Sequence, residues 1–428
     1  MKLSVEGRRV ISGTHRVSGN KNAALPMIAA ALLSREPVTI TNVPDIADVS
    51  AMLDVARGFG TKVSRNAAAG TVTLTSHSLK AAKIAPELAA KLRTSILFAG
   101  PLLARLGRAS LPPPGGDAIG HRRLDTHFAG FKALGAKAKA GKKTLVFKGA
   151  LRGAEMLLDE ASVTATENIL MASVLAKGRT VIYNAACEPH IVDLATMLNS
   201  MGAKISGAGT NRLEIEGVET LHGCEARVGC DYIEAGSYLV AAAATGGELV
   251  LAEIDPEPFK VLEGTFARFG VSWTIDRAAR TLRYVPRRRL KMKYDLGDAI
   301  PSVSDGPWPA FPSDLMGVLI VLATQTRGTC LFFEKMFESR LYFVDQLRQM
   351  GAKIVQCDPH RVVVTGPSPL YGGTAHANDI RAGISLVIAA ICAKGESVIL
   401  NAETIDRGYV SVEKSFSSIG AKVSRSES

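Results

Sequence analysis

Two phrases of apolar and polar positions alternate along the whole chain. In the first, an apolar residue precedes Gly, usually followed by Ala-Lys and a β-branched residue. It reads Phe59-Gly60-Thr-Lys-Val, Leu134-Gly135-Ala-Lys, Met201-Gly202-Ala-Lys-Ile, Phe269-Gly270-Val-Ser-Trp, Met350-Gly351-Ala-Lys-Ile and Ile419-Gly420-Ala-Lys-Val. The glycines recur at intervals of about seventy residues, so six units account for the chain. In the second phrase an Ala/Leu-rich helix, a polar break and a short β-branched strand follow one another. Ala29–Ser34 leads to Val38, Ala172–Gly178 to Thr180, Leu239–Gly246 to Leu249, Val321–Thr324 to Cys330, and Leu386–Gly395 to Ser397; Leu102–Gly107 is a shorter copy. These helices carry few charges and are expected to be covered on most sides. The strands alternate and are expected to face water on one side. A helix–strand–helix–strand unit cannot bury both faces alone. Three units packed around their helices give a lobe with helices inside and sheets outside. Six give two such α/β lobes, with a substrate cleft between them.

A chain of 428 residues is also too long for one ordinary core. With 47% hydrophobic and 21% charged residues it has a globular composition. The net charge of +11 and a pI near 9.4 admit nucleic acid or anionic small molecules. No aromatic-interleaved basic stripe or Cys/His finger is present, and the run Arg287–Lys293 reads as a solvated loop or strand edge. A cleft for phosphates or carboxylates is expected, not a nucleic-acid face. The six cysteines, at 187, 224, 230, 330, 357 and 392, form no CxxC pair and read as reduced core thiols of a cytoplasmic protein. Histidines are scattered, so no metal is expected. No signal-like start and no run long enough to insert in a membrane are seen. The segment Leu111-Pro-Pro-Pro-Gly-Gly-Asp117-Ala-Ile-Gly120 combines a stiff arm, a glycine-rich tip and one carboxylate, a composition suited to a closing loop.

From Ser18-Gly-Asn-Lys21-Asn22-Ala-Ala-Leu-Pro26 onward the chain resembles the enolpyruvyl transferases, and most of all the branch that acts on UDP-N-acetylglucosamine in peptidoglycan precursor synthesis. The resemblance continues through Asn42–Asp48, Arg93-Thr-Ser, Gly-Gly-Asp117-Ala-Ile-Gly-His-Arg122, Ala165–Asn168, Glu188–Asp193, Asp231–Gly236, Phe311-Pro-Ser-Asp314, Phe337-Glu-Ser-Arg340, Asp379-Ile-Arg381 and Ile405–Tyr409, and so covers the full chain. The family implies a two-lobed inside-out α/β barrel of six units, three per lobe. It implies that residues 1–20 and 230–428 form one lobe, and that residues 21–229 form the other and carry the lid loop 111–122.

The implied reaction joins the enolpyruvyl group of phosphoenolpyruvate to the 3'-hydroxyl of the UDP-sugar and releases phosphate, without a cofactor. Asp117 stands where most members carry Cys. It is expected to be the proton donor, or to help product leave, and to escape alkylation by fosfomycin. Asp314 is expected to be the base toward the sugar hydroxyl. The resemblance assigns Lys21, Arg93, Arg122, Arg381 and Arg407 to phosphoenolpyruvate, with Arg340 stabilising developing charge. The nucleotide sugar falls to Asn22, Arg93, Arg122, Arg123, Leu124, Asp125, Ser162, Val163, Thr164, Asp314 and Met336, with Asp48 and Asp379 in support. Lys21 is expected to precede a helix whose first turn contains Pro26. Arg123, Glu160 and Thr164 depart from the family pattern along the nucleotide wall. They leave open a different uridine nucleotide or nucleotide sugar as acceptor, or a non-catalytic nucleotide-sugar sensor. The sequence assigns no oligomeric state.

Overall fold

A computed structural model describes residues 1–80, 89, 92–116, 119–286 and 289–427. Backbone contacts divide the chain into two units. One comprises Gly19–Asp117 and Arg122–Gly229; the other comprises Met1–Ser18, Ala118–His121 and Cys230–Ser428.

In the unit built from residues 19–229 the described helices are α1 (Lys21–Ala30), α2 (Ala47–Gly58), α3 (Ala99–Leu106), α4 (Asp125–Ala133), α5 (Val163–Ser173) and α6 (Pro189–Ser200). In the other they are α7 (Tyr232–Thr245), α8 (Glu257–Arg268), α9 (Ser313–Gln325), α10 (Val344–Gln349), α11 (Ile380–Cys392) and α12 (Val412–Ser418). The odd-numbered helices other than α3 are apolar on nearly every face, and that composition drives them inward. α7, α9 and α11 pack on one another, while α3 packs on α5 and α1 on α6. Gly236 on α7 allows a close approach: a Cβ there would lie 2.8 Å from the Leu315 side chain of α9.

All six even-numbered helices end in the same way. An apolar residue closes the helix, and the glycine of the first sequence phrase follows at positive φ, between 78° and 103°. The next N–H then reaches back to the carbonyl five residues earlier, as in Thr61 to Ala56, Ala136 to Phe131 and Ala421 to Phe416. This is a Schellman ending. A side chain is strained at that φ, which is why the phrase keeps its glycine.

Six sheets are present among the described residues, three in each unit. Five share one plan: a parallel edge pair, then two antiparallel pairs. The sheet Thr374–His376, Glu396–Leu400, Lys2–Glu6, Lys422–Ser426 shows it, with Leu3 opposite both Ile399 and Arg425. The sheet Ser302–Ser304, Gly328–Phe333, Arg361–Gly366, Lys353–Asp358 repeats it. The units are richer in strands than the helix–strand–helix–strand expectation. After the first five glycine phrases comes a hairpin rather than a single strand, because a short turn such as residues 67–70 folds the chain back, while the sixth is followed by the single strand Lys422–Ser426. Strand burial alternates, as in Lys2–Glu6, where Leu3 and Val5 are fully buried. The inside-out α/β fold expected from the pattern is thus the one observed.

All six cysteines are free thiols, with Cys357 exposed. Residues 287 and 288 of the basic run lie outside the described residues. Among the described residues, no helix is long and apolar enough to cross a membrane, and no acidic, His or Cys cluster is placed to hold a metal ion.

Candidate active site

In the unit built from residues 19–229, the predicted residues sit at helix starts. Asn20 caps α1, its side chain accepting from the Asn22 N–H at 2.7 Å, so Lys21 and Asn22 occupy the first turn. Pro26 is not in that turn. It lies inside α1, where a buried apolar face holds the helix through the missing N–H. Lys21 is 8% exposed, and its Nζ lies 2.7 Å from Asp48 Oδ2 in the first turn of α2. The ammonium is therefore buried and charge-compensated at a helix N-terminus, a natural anion site.

The turn Arg93–Phe98 packs on both α1 and α5. Its Arg93 donates to the Arg123 carbonyl at 2.8 Å. Burial, with Arg122 repelling it, lowers the Arg93 guanidinium to about 10, while Glu160 opposes the shift. Leu124 and Asp125 begin α4; Ser162 precedes Val163 and Thr164 at the start of α5. The two helix starts are tied by His127 Nε2 to Thr164 Oγ1 at 3.1 Å and by Thr126 Oγ1 to Asp159 at 2.6 Å. Burial, then Arg93, pushes the His127 imidazole down to about 3, so it is neutral. Arg123 is engaged with Asp125 at 2.9 Å.

The other unit gathers a second set. Asp314, in the first turn of α9, accepts from Arg340 Nη2 on Oδ1 at 2.7 Å and from Arg381 Nη2 on Oδ2 at 2.8 Å. Arg340 and Arg381 are 7% and 6% exposed. Asp379 caps α11 by accepting from the Arg381 and Ala382 N–H groups, and stands 3.6 Å from Arg340 Nη1. Burial alone would lower Arg381; the Asp314 charge overrides it and raises this guanidinium. Arg381 also donates to the Tyr409 hydroxyl at 3.3 Å, and that hydroxyl lies 2.8 Å from Ser237 Oγ. Arg407 ends the turn Ala402–Arg407, half-buried. Met336 is 40% exposed after the strand Gly328–Phe333.

Asp117, the expected acid, lies outside the described residues. On either side of it the loop is anchored. Gly115 N–H donates to the Ala89 carbonyl at 3.0 Å. His121 N–H donates to Glu338 Oε1 at 2.8 Å, and Ser339 N–H to the Ile119 carbonyl at 3.1 Å. Residues 119–121 therefore belong with the unit that holds Glu338.

Two acids beside Asp314 were not expected. Glu334 is 0% exposed and Asp305 2% exposed, and Ser313 Oγ donates to Glu334 Oε1 at 2.9 Å. Glu167 on α5 is also buried, and burial with Glu188 nearby raises its carboxyl. An acid directly after an apolar strand, Phe332-Phe333-Glu334, is the signal that could have marked the first of these.

The sequence profile of the family described as EPSP synthase (3-phosphoshikimate 1-carboxyvinyltransferase) matches residues 5–416. The UDP-N-acetylglucosamine 1-carboxyvinyltransferase of Treponema denticola is 49% identical over 426 residues, which is 99% of each chain. The protein of the same name from Borreliella burgdorferi is 50% identical over 425 residues, again 99% of each. Among solved structures, the enolpyruvyl transferase NikO from Streptomyces tendae superposes with a TM-score of 0.88 at 21% identity, covering 100% of this chain and 99% of that one. At that identity the likeness concerns the fold.

Proposed function

The chain belongs to the EPSP synthase family of 1-carboxyvinyl transferases, and from that premise we propose that it transfers the enolpyruvyl group of phosphoenolpyruvate to the 3'-hydroxyl of UDP-N-acetylglucosamine. The observation that carries this acceptor is identity of about one half, over almost the whole chain, to two proteins of that name.

Asp117 protonates the methylene carbon of the enol, and the sugar oxygen attacks the adjacent carbon. Asp314 takes the hydroxyl proton. The tetrahedral adduct then breaks its carbon–oxygen bond to phosphate and loses a methyl proton, restoring the vinyl group. Lys21, Arg93, Arg122, Arg381 and Arg407 hold the carboxylate and phosphate; forked guanidinium contacts suit both groups. Arg340 lies 2.7 Å from Asp314 and stabilises charge that develops beside it. Asn22, Arg123–Asp125, Ser162–Thr164 and Met336 bound the nucleotide sugar, with Asp48 and Asp379 fixing Lys21 and Arg381. The product is a peptidoglycan precursor made in the cytoplasm.

A second acceptor is favoured by one observation: Glu160 acts on Arg93 as a counter-charge where a diphosphate would need the cation. Phosphate release from phosphoenolpyruvate, measured across UDP-sugars and uridine nucleotides, tests both. Release with UDP-N-acetylglucosamine is expected. Release only with another uridine nucleotide moves the acceptor, and binding without release leaves a nucleotide-sugar sensor.

A further inference from the structure

Behind Asp314 lies a buried acid pair that the reaction as written does not use. The parallel strands Ser302–Ser304 and Gly328–Phe333 pair Ser304 with Phe333, and each is followed at once by an acid, Asp305 and Glu334. Register therefore sets the two side by side, where the charge of Asp305 acts directly on Glu334. Asp305 takes backbone donors on both oxygens, from the Lys335 N–H on Oδ1 and from the Met336 N–H on Oδ2 at 3.3 Å. Glu334 Oε1 accepts from Ser313 Oγ at 2.9 Å and from the Phe337 N–H at 3.3 Å. Oε2 also accepts from Ser313 Oγ, at 3.1 Å. Two carboxylates side by side and out of water cannot both ionise, so the pair holds one proton, and burial places it on Glu334.

The pair is linked to the chemistry through one hydroxyl. Ser313 Oγ donates to Glu334 and accepts from Arg340 Nε at 3.3 Å, while Arg340 Nη2 holds Asp314 at 2.7 Å. Ser313 and Asp314 are adjacent residues of α9, so a shift at one moves the other.

We propose that Glu334 and Asp305 form a one-proton pair in which neutral Glu334 is a positioning residue: through Ser313 it sets the Arg340 guanidinium on Asp314. Were Glu334 ionised, it would compete with Asp314 for Arg340, whose charge acts on Glu334 and whose Nη2 holds Asp314. Neutrality keeps Arg340 committed to Asp314 and Asp379. The other groups facing the pair are Lys335, whose Nζ is 3.0 Å from Ser304 Oγ, and His360, whose Nδ1 donates to the Glu334 carbonyl at 2.7 Å. Burial first, then Asp305, pushes the Glu334 carboxyl up to about 9, with Arg340 pulling the other way.

This inference rests on the enolpyruvyl-transfer reading for its kinetic arm only. At neutral pH, Glu334→Ala is expected to lower kcat about tenfold to a hundredfold with little change in KM, the mark of misplaced groups rather than lost binding. Glu334→Gln, a neutral isostere, restores most of it. Asp305→Asn removes the charge that keeps Glu334 protonated; kcat falls, and recovers when the pH is lowered or when Glu334→Gln is added. A merely structural Asp305 would not be rescued by that second substitution. Failure of the double variant to recover, with both singles folded by calorimetry, overturns the proposal. So does equal loss in Glu334→Ala and Glu334→Gln. Infrared spectroscopy of the unliganded protein gives an arm independent of activity. The wild-type minus Glu334→Gln difference spectrum at pH 7 must carry the C=O stretch of a protonated carboxylic acid, over any band that Glu167 contributes to both; its absence overturns the pair even if the enzyme turns over. If wild type releases no phosphate with UDP-N-acetylglucosamine, the function reading fails and the infrared arm still decides the pair.

Discussion

Replacing Asp314 by Asn separates catalysis from stability in a measurable ratio. The carboxylate accepts one charged hydrogen bond on each oxygen, from Arg340 at 2.7 Å and from Arg381 at 2.8 Å. An amide keeps one acceptor and turns a donor toward the other guanidinium. Two buried cations then depend on Asp379, 3.6 Å from Arg340, for counter-charge. Removing one partner of a buried pair costs about 3–5 kcal/mol. The Asp314 side chain is 25% exposed, and solvent screening reduces the expected loss to about 2–3 kcal/mol. For a unit of roughly 200 residues each kcal/mol lowers Tm by about 2–4 °C, so calorimetry is expected to show a drop of about 4–12 °C. Loss of a positioned base costs more, about 10²–10⁴ in kcat, read by phosphate release at saturating UDP-N-acetylglucosamine. The KM for that substrate is expected to stay within a few-fold. A kcat within tenfold of wild type removes Asp314 as the base. A Tm unchanged within 1 °C, on the scale of about 2–4 °C per kcal/mol, shows that the two guanidiniums do not depend on it.

Three further outcomes follow from other parts of the molecule. With Asp117 in place of a cysteine thiol, incubation with stoichiometric fosfomycin leaves activity intact, and Asp117→Asn lowers turnover more than substrate binding; time-dependent inactivation of wild type refutes the first, and unchanged turnover the second. Gly236→Ala puts a Cβ 2.8 Å from Leu315 in the packed centre of α7 and α9, an overpacking cost of about 1–3 kcal/mol in urea unfolding; an unchanged midpoint would show that α9 gives way freely. His127 has a folded pKa of about 3, below the ordinary value, so the unfolded chain binds more protons. Its contribution to stability is full above about pH 6.5 and is lost as the pH falls from there toward 3. His127→Gln is expected to flatten the acid side of the unfolding-midpoint profile, and an equally steep profile in the variant refutes the assignment.

What the sequence made legible follows the range of each interaction. The six glycine phrases are local, and all six form the same helix ending, because the left-handed φ must be met within a few residues. The buried helices were legible from their composition alone. Proline favours a first turn, which is where Pro26 is expected, yet it lies inside α1. Tertiary packing instead carries α1 through it. Asp314, Arg340 and Arg381 lie on separate segments, and only family resemblance put them on one list; their shared hydrogen bonds are a fact of the fold. Asp305 and Glu334 were missed for the same reason without that help. Their contact depends on the register of two strands about twenty-five residues apart, which no local pattern encodes.

The strand Lys2–Glu6 sits between Glu396–Leu400 and Lys422–Ser426 in its sheet. During synthesis it leaves the ribosome about 390 residues before its nearer partner exists. At about 5–20 residues per second that is a wait of roughly 20–80 s. Residues 19–229 can complete their own sheets in that interval, so the unit they form is the first to be closed. The other stays unfinished until its last strand is made, with Leu3 and Val5 uncovered meanwhile. A chain cut short before residue 396 keeps that strand with neither neighbour, an open edge available to any other extended peptide.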